Sequence, residues 1–281
     1  IAALYGNDDI IPRSLDFEKA QSPLPAWMND FPQYSMWWII ILNDYFMSCG
    51  NRAYLEAQKD YFEGLLKQLD KCVFENGDFD FGFNFVDWPT HEQPDEPEGV
   101  RSLCKLLCAL KAENLCHVLG LDDSVAKGIY NKLSRKSDEI IDKKQIAALK
   151  YLSHTALTAH EKAVLCEGGA HGFSTFMSSY ILSALTENAG LCEALSAMRT
   201  YYGGMLEMGA TSFWEDFDID WMENTAPLTR LPEEGERDIH GDFGKYCYVG
   251  FRHSFCHGWS AGVVPFIFDK VLGVESLAEG G

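Results

Sequence analysis

Residues 54–73 read YLEAQKDYFEGLLKQLDKCV, and this stretch decides the fold. Its apolar residues recur at intervals of three and four, the spacing of one face of an amphipathic α-helix. They are Tyr54, Leu55, Tyr61, Phe62, Leu65, Leu66, Leu69, Cys72 and Val73. A strongly apolar stretch, Ser35–Cys49, precedes them, and Gly50 and Asn51 supply a turn between the two. The two stretches therefore predict an antiparallel helical hairpin.

Helical spacing returns along the rest of the chain. A helix at about Glu98–Leu119 ends at Gly120, and Asp122 and Asp123 begin the next one, which predicts a second hairpin. Further helices are predicted at about 143–152, 159–166, 173–185, 191–205 and 259–272. The predicted fold is therefore all-α, with roughly four helical hairpins that line up as a solenoid or close into a ring.

The stretches between the predicted helices hold the polar and aromatic clusters. Residues 7–34 contain four prolines, Pro12 among them, which predict a loop without a long helix. Residues 79–97 break the helical period and predict a loop that could include a short strand. Residues 209–257 predict a long irregular connection, and such loops are usually functional. In a ring of hairpins, connections at one end would converge on a central cleft.

Composition limits the partners. The 281 residues are 47% hydrophobic, enough for one large core or two modest ones. The formal net charge of -19 leaves no basic face to neutralise phosphates, so nucleic acid and anionic membrane surfaces are not expected partners. The longest apolar run, Met36–Leu42, is far shorter than the roughly 18 residues that a spanning helix needs, so no membrane insertion is expected.

Neither a metal nor another cofactor is expected. The nine cysteines cannot all pair, and most lie in amphipathic stretches where Cys acts as a small core residue, which predicts reduced thiols. No Cys-x-x-Cys spacing occurs, and the group His253, Cys256 and His257 has no second pair of ligands nearby. The cellular compartment stays open.

The stretch Gly209–Trp221 reads GATSFWEDFDIDW and combines Glu215 with three aspartates and four large aromatic residues, Trp214 among them. A sugar site needs this mixture, because aromatic faces cover a pyranose ring while carboxylates bind hydroxyls or transfer protons. Charge alone would equally fit a solvated acidic loop. Solvated loops rarely hold four such rings in nine residues, so a walled acidic cleft is the better interpretation.

Four passages resemble the α-L-rhamnosidases, glycoside hydrolases built on an α/α toroid of six helical hairpins. The passages are PAWMN at 25–29, VDW at 86–88, GATSFWE at 209–215 and SFCHGWSAG at 254–262. The resemblance implies that Glu215 is the general base of an inverting hydrolysis and that His257 lines the rhamnose subsite. It also implies that Trp27 and Trp88 wall the same pocket, and Asn29, Asp87 and Trp214 are further candidates for binding substrate.

The resemblance is incomplete. The family's general acid lies in a motif of the type Asp-x-x-x-Arg-Asp followed by Trp-x-Gly-Asp, and nothing in the sequence matches it. In the family this motif precedes the region that corresponds to Ile1. Residues 1–281 are therefore expected to form a single domain, the C-terminal part of a toroid with an incomplete set of hairpins, and the acid is expected upstream. The expected partner is a rhamnose-containing oligosaccharide, polysaccharide or glycoside.

Several alternatives stay open. The protein could be another toroidal carbohydrate enzyme, such as an unsaturated glycuronyl hydrolase or a polysaccharide lyase, or a non-catalytic sugar-binding module. Trp27 and Trp88 could be core residues. Asp87 could be a pocket acid or a local turn cap. The remaining acidic residues of the stretch, Asp216, Asp218 and Asp220, are predicted to form a solvated rim.

Overall fold

The structure, a computed structural model, describes residues 9–136 and 140–274. These residues form two compact units. The first comprises residues 9–86 and 96–136, and the second comprises residues 87–95 and 140–274. That residues 1–281 form one domain stays a prediction.

The first unit is built from helices. They are α1 (Ile10–Gln21), α2 (Pro32–Cys49), α3 (Arg52–Lys71), α4 (Glu96–Leu106), α5 (Glu113–Leu119) and α6 (Ser124–Leu133). A 3-10 turn at Met28–Asp30 precedes α2, and a π-helical turn at Leu107–Ala112 joins α4 to α5. Helix α2 packs against α3, α4 and the π-helical turn, and most of its side chains are buried. That position explains why its sequence is apolar on nearly every side.

The predicted hairpin of α2 and α3 is confirmed. Gly50 ends α2 in the left-handed conformation, with φ of 64°, which a residue without a Cβ adopts at little cost. The Asn51 side chain then accepts a hydrogen bond from the Tyr54 N–H at 3.1 Å and caps α3. Of the predicted apolar face of α3, Leu55, Phe62, Leu65, Leu66 and Leu69 are buried.

The prediction that residues 7–34 contain no long helix is wrong, because α1 spans 12 residues. Pro12 is the third residue of α1. In the first turn of a helix the backbone N–H has no intrahelical acceptor, so proline costs little there. Pro23, Pro25 and Pro32 do keep the residues that follow α1 out of a continuous helix.

The second unit combines helices with a long irregular segment. Its helices are α7 (Lys144–Leu152), α8 (Ala159–Cys166), α9 (Ser178–Ala189), α10 (Leu191–Glu207) and α11 (Val263–Phe266), and a π-helical turn at Ile267–Val271 follows α11. Helix α9 packs against α7, α8, α10 and α11. A buried ion pair joins α7 to α8, with Lys150 Nζ 2.8 Å from Glu161 Oε1.

Residues between α10 and α11 form short turns and one small β-ladder, which agrees with the predicted irregular connection. The ladder pairs β1 (Thr225–Ala226) in parallel with β2 (Arg237–Asp238). No other strands occur in residues 9–136 and 140–274, and helices dominate both units, so the predicted all-α class is confirmed. None of the helices in these two ranges is long and apolar enough to cross a membrane.

Candidate active site

Two non-helical segments of the second unit lie side by side at Glu215. The Glu215 N–H donates to the Ser254 carbonyl at 2.8 Å, and the His257 N–H donates to the Phe213 carbonyl at 2.7 Å. The Ser212 hydroxyl donates to the carbonyl of Phe255. Residues 212–215 and 254–257, which we call the paired segments, therefore hold each other in place despite their separation in sequence.

The carboxylate of Glu215 is fixed from two sides. Its Oε2 accepts a hydrogen bond from the Ser254 N–H at 2.6 Å, and its Oε1 lies 3.6 Å from His257 Nε2. The side chains of Glu215 and His257 are 20% and 36% exposed. A carboxylate that is both fixed and open to solvent can take a proton from a water molecule.

His257 is oriented by the turn that follows it. Its Nδ1 accepts a hydrogen bond from the Trp259 N–H at 3.3 Å and caps the 3-10 helix Gly258–Gly262. Since Nδ1 is the acceptor, a neutral ring carries its proton on Nε2. Nε2 is the nitrogen that faces Glu215, so the ring can donate toward the carboxylate or toward a bound hydroxyl.

Aromatic rings connect Trp88 with His257. The Trp88 ring centroid lies 6.3 Å from that of Tyr248, which lies 6.5 Å from that of Trp259. The Trp259 centroid in turn lies 4.9 Å from that of His257. A series of ring contacts therefore links Trp88 to His257, which lies next to Glu215. That this region binds a sugar stays a prediction.

Asp87 is a turn cap. Its Oδ1 accepts hydrogen bonds from the Thr90 N–H at 3.1 Å and from the Thr90 hydroxyl at 2.6 Å. The Ser174 hydroxyl donates to Oδ2. The carboxyl group is fully buried, and this burial raises the pKa of Asp87. Of the two interpretations that the sequence allows, the structure shows the cap, and no face of Asp87 is open to a ligand.

Asp216 is buried and is not the solvated rim residue that the sequence predicts, because it is only 6% exposed. The Glu215 carboxylate lies against Ser254 and His257, whereas the side chain of Asp216 is buried in the interior of the second unit. Burial, followed by the negative charge of Asp87, raises the pKa of Asp216 to about 7.

The rim prediction is confirmed for Asp220, whose side chain is 64% exposed. Its Oδ1 lies 2.6 Å from Nδ1 of His171. Asp218 is intermediate: its Oδ1 accepts a hydrogen bond from the Asp220 N–H at 3.0 Å, and burial raises the pKa of its carboxyl. Of the three aspartates, only Asp220 is therefore largely exposed to solvent.

Trp214 is a core residue. It is 1% exposed, and its ring centroid lies 4.6 Å from that of Phe255 and 5.7 Å from that of Phe217. A ring covered in this way supports the paired segments from behind. The prediction that Trp214 contacts substrate has no support from this packing, because no face of the ring is open.

Trp27 and Asn29 lie in the first unit, at the turn Met28–Asp30. Asn29 is exposed and has a φ of 51°, in the left-handed region that Asn tolerates better than most residues. Asp30 has a φ of 61°, and consecutive residues in this region are typical of functional loops. Their predicted grouping with Glu215 stays a prediction.

Solved structures of two rhamnosidases are similar to this chain. The GH78 family rhamnosidase of Bacillus sp. GL1 matches 98% of the chain with a TM-score of 0.70 and 20% sequence identity. A rhamnosidase from Klebsiella oxytoca with rhamnose bound matches 87% of the chain with a TM-score of 0.61 and 16% identity. The chain has a rhamnosidase-like fold.

This likeness agrees with the predicted α/α toroid class and concerns the fold alone. The chain spans 31% of the length of the Bacillus rhamnosidase and 47% of the length of the Klebsiella rhamnosidase. No protein-family model matches the chain, and no curated protein matches it.

Within the rhamnosidase-like fold, three residues that sequence reasoning did not single out act directly on Glu215. Ser254 donates to its carboxylate, while the Thr175 hydroxyl and the Trp259 indole N–H donate to its backbone carbonyl. Ser254 and Trp259 lie in the passage that carries the family resemblance, so that passage could have identified them from the sequence. Thr175 lies in a stretch that reads as helix, and no sequence signal marks it.

The buried side chain of His253 is expected to make the free energy of unfolding depend on pH. It is 2% exposed, and burial, with a contribution from His240, lowers its pKa to about 4. The unfolded chain takes up a proton near pH 6.5, so the free energy of unfolding falls as the pH drops from about 6.5 to about 4. We expect the loss from this one group to reach about 1.4 kcal/mol per pH unit.

The variant His253→Phe removes the titrating group and keeps a ring among its aromatic neighbours. Chemical denaturation of wild type and variant between pH 7 and pH 4.5 should show the free energy of the variant declining less steeply toward acid. Parallel curves for the two proteins would contradict the prediction.

Proposed function

We propose that the protein is a glycoside hydrolase that releases terminal α-L-rhamnose with inversion of configuration, with Glu215 as the general base. The observation that carries the proposal is the Glu215 carboxylate, fixed by the Ser254 N–H, faced by His257 and partly open to solvent. The rhamnosidase-like fold and the ring of Trp259, whose centroid lies 4.9 Å from that of His257, support it.

In the proposed reaction, a water molecule lies between the Glu215 carboxylate and the anomeric carbon. Glu215 takes one proton from the water molecule while the water oxygen bonds to the anomeric carbon. The bond between that carbon and the leaving oxygen breaks on the opposite face. A separate carboxylic acid protonates the leaving oxygen, at roughly 6.5–9.5 Å from the base so that the water fits. This acid is not assigned to a residue of the chain.

The neighbours of Glu215 would divide the remaining tasks. His257, with a proton on Nε2, can donate to a sugar hydroxyl or hold the carboxylate. Trp88 would cover the apolar face of the ring. The preferred substrate is neutral, because the negative charge of the Glu215 carboxylate would repel a sugar carboxylate.

The test is a stereochemical assay on the native protein. Aryl α-L-rhamnoside is added in buffered D₂O, and the anomeric proton of the released sugar is followed by NMR from the first minutes. We expect β-L-rhamnose to appear first and the α anomer to grow in later by mutarotation. The α anomer appearing first would show retention and would contradict the role of Glu215 as a base.

Other substrates separate the remaining possibilities. Rhamnose that binds in calorimetry without turnover of any rhamnoside would indicate a sugar-binding module. Turnover of an unsaturated glucuronide in preference to the rhamnoside would indicate the glycuronyl hydrolase class. Either outcome would overturn the proposal.

A further inference from the structure

The peptide unit of Glu215 is held more firmly than its side chain. Its carbonyl oxygen accepts two hydrogen bonds, from the Thr175 hydroxyl at 2.5 Å and from the Trp259 indole N–H at 2.7 Å. Its N–H donates to the Ser254 carbonyl at 2.8 Å. Two donors occupy both lone pairs of one carbonyl, so the position of the Glu215 backbone is fixed from both ends.

Trp259 also fixes the histidine that faces the carboxylate. Its backbone N–H donates to His257 Nδ1 at 3.3 Å, which leaves the ring proton on Nε2, opposite Glu215 Oε1. One residue therefore acts on both members of the pair, through its indole N–H on Glu215 and through its main-chain N–H on His257.

The indole ring itself has little freedom to move. It is half-buried, and its centroid lies 5.3 Å from that of Phe176 and 4.9 Å from that of His257. A donor on a packed ring loses little further entropy when it bonds, so it can hold its acceptor in one place. The Thr175 hydroxyl reaches the same oxygen from a different part of the chain, just before α9.

We propose that Trp259 is a positioning residue that sets the place of the Glu215 backbone and the tautomer of His257, with Thr175 as its partner on the Glu215 carbonyl. The inference rests on the proposed function, in which Glu215 must direct a water molecule at the anomeric carbon. A small displacement of such a group costs rate and leaves substrate binding nearly intact, because the sugar is bound by other contacts.

The test compares variants that remove one donor at a time. Trp259→Phe keeps a ring and the main-chain N–H and removes only the indole donor, and Thr175→Val removes the hydroxyl at similar volume. For each we expect kcat on an aryl α-L-rhamnoside to fall about 10-fold, with KM changed by less than about 2-fold. Thr175→Ser, which restores the hydroxyl, should recover most of the lost kcat.

Melting temperatures measured on the same samples separate positioning from loss of fold. A normal kcat in Trp259→Phe, with an active wild type, overturns this inference and leaves the proposed function intact. A rise in KM that equals the loss in kcat/KM also overturns it, since that would assign Trp259 to substrate binding. An inactive wild type overturns the proposed function, and with it the need for a positioned base.

Discussion

Replacing Glu215 by Gln is expected to lower kcat on an aryl α-L-rhamnoside by at least about 100-fold, because general-base assistance typically contributes 10² to 10⁴ in rate. Gln keeps the length of the side chain and retains an oxygen that can accept the Ser254 N–H. It cannot take a proton from water. Rhamnose affinity by calorimetry and the melting temperature should therefore change little.

Azide provides an internal control for Glu215→Gln. A small anion needs no base to attack, so added azide should restore part of the rate and yield the β-L-rhamnosyl azide. The same azide should not accelerate the wild-type enzyme. A variant with near-normal kcat would show that another carboxylate activates the water. Asp218, which is half-buried and lies three residues after Glu215, would be the next residue to change.

Asp216→Asn is expected to stabilise the protein at and above pH 7. The pKa of Asp216 is raised to about 7 in the folded state and lies near 3.8 in the unfolded chain, so the folded protein holds an extra proton between these values. Its contribution to stability is present below about pH 4 and is lost as the pH rises toward 7. The full loss is on the order of 3 to 4 kcal/mol.

Asn has nearly the shape of a protonated Asp and does not titrate. Free energies of unfolding for Asp216→Asn and wild type should therefore converge near pH 4 and separate as the pH rises, with the variant more stable. Asp220→Asn is the matched control, since it removes the same charge at an exposed site. A gain of equal size in Asp220→Asn would assign the effect to net charge and contradict the role of burial.

Helix periodicity predicts much of the fold, but residues 173–185 show the limit of what it can predict. Phe173 and Met177 are buried, as the predicted helix requires, yet α9 begins only at Ser178. The turn before it lets Ser174 reach Asp87 and Thr175 reach Glu215. An apolar residue is buried equally well by a helix or by a turn, so periodicity alone cannot separate the two.

The candidate site is predictable only in part, for a related reason. The passages around Glu215 and His257 identify the pair, and the structure places them 3.6 Å apart. Whether a carboxylate or ring in such a passage faces solvent depends on backbone direction, which composition does not reveal. Asp216 and Trp214 flank Glu215 in sequence, and both turn inward.

The hydrogen bonds between residues 212–215 and 254–257 join the two ends of the long loop formed by residues 216–253. Doubling the length of a flexible loop adds only about 0.6 kcal/mol of closure entropy. Insertions or deletions within residues 227–236, between β1 and β2, are therefore expected to leave the geometry of Glu215 and His257 unchanged. The length of this connection can vary through evolution or engineering while the pair keeps its place.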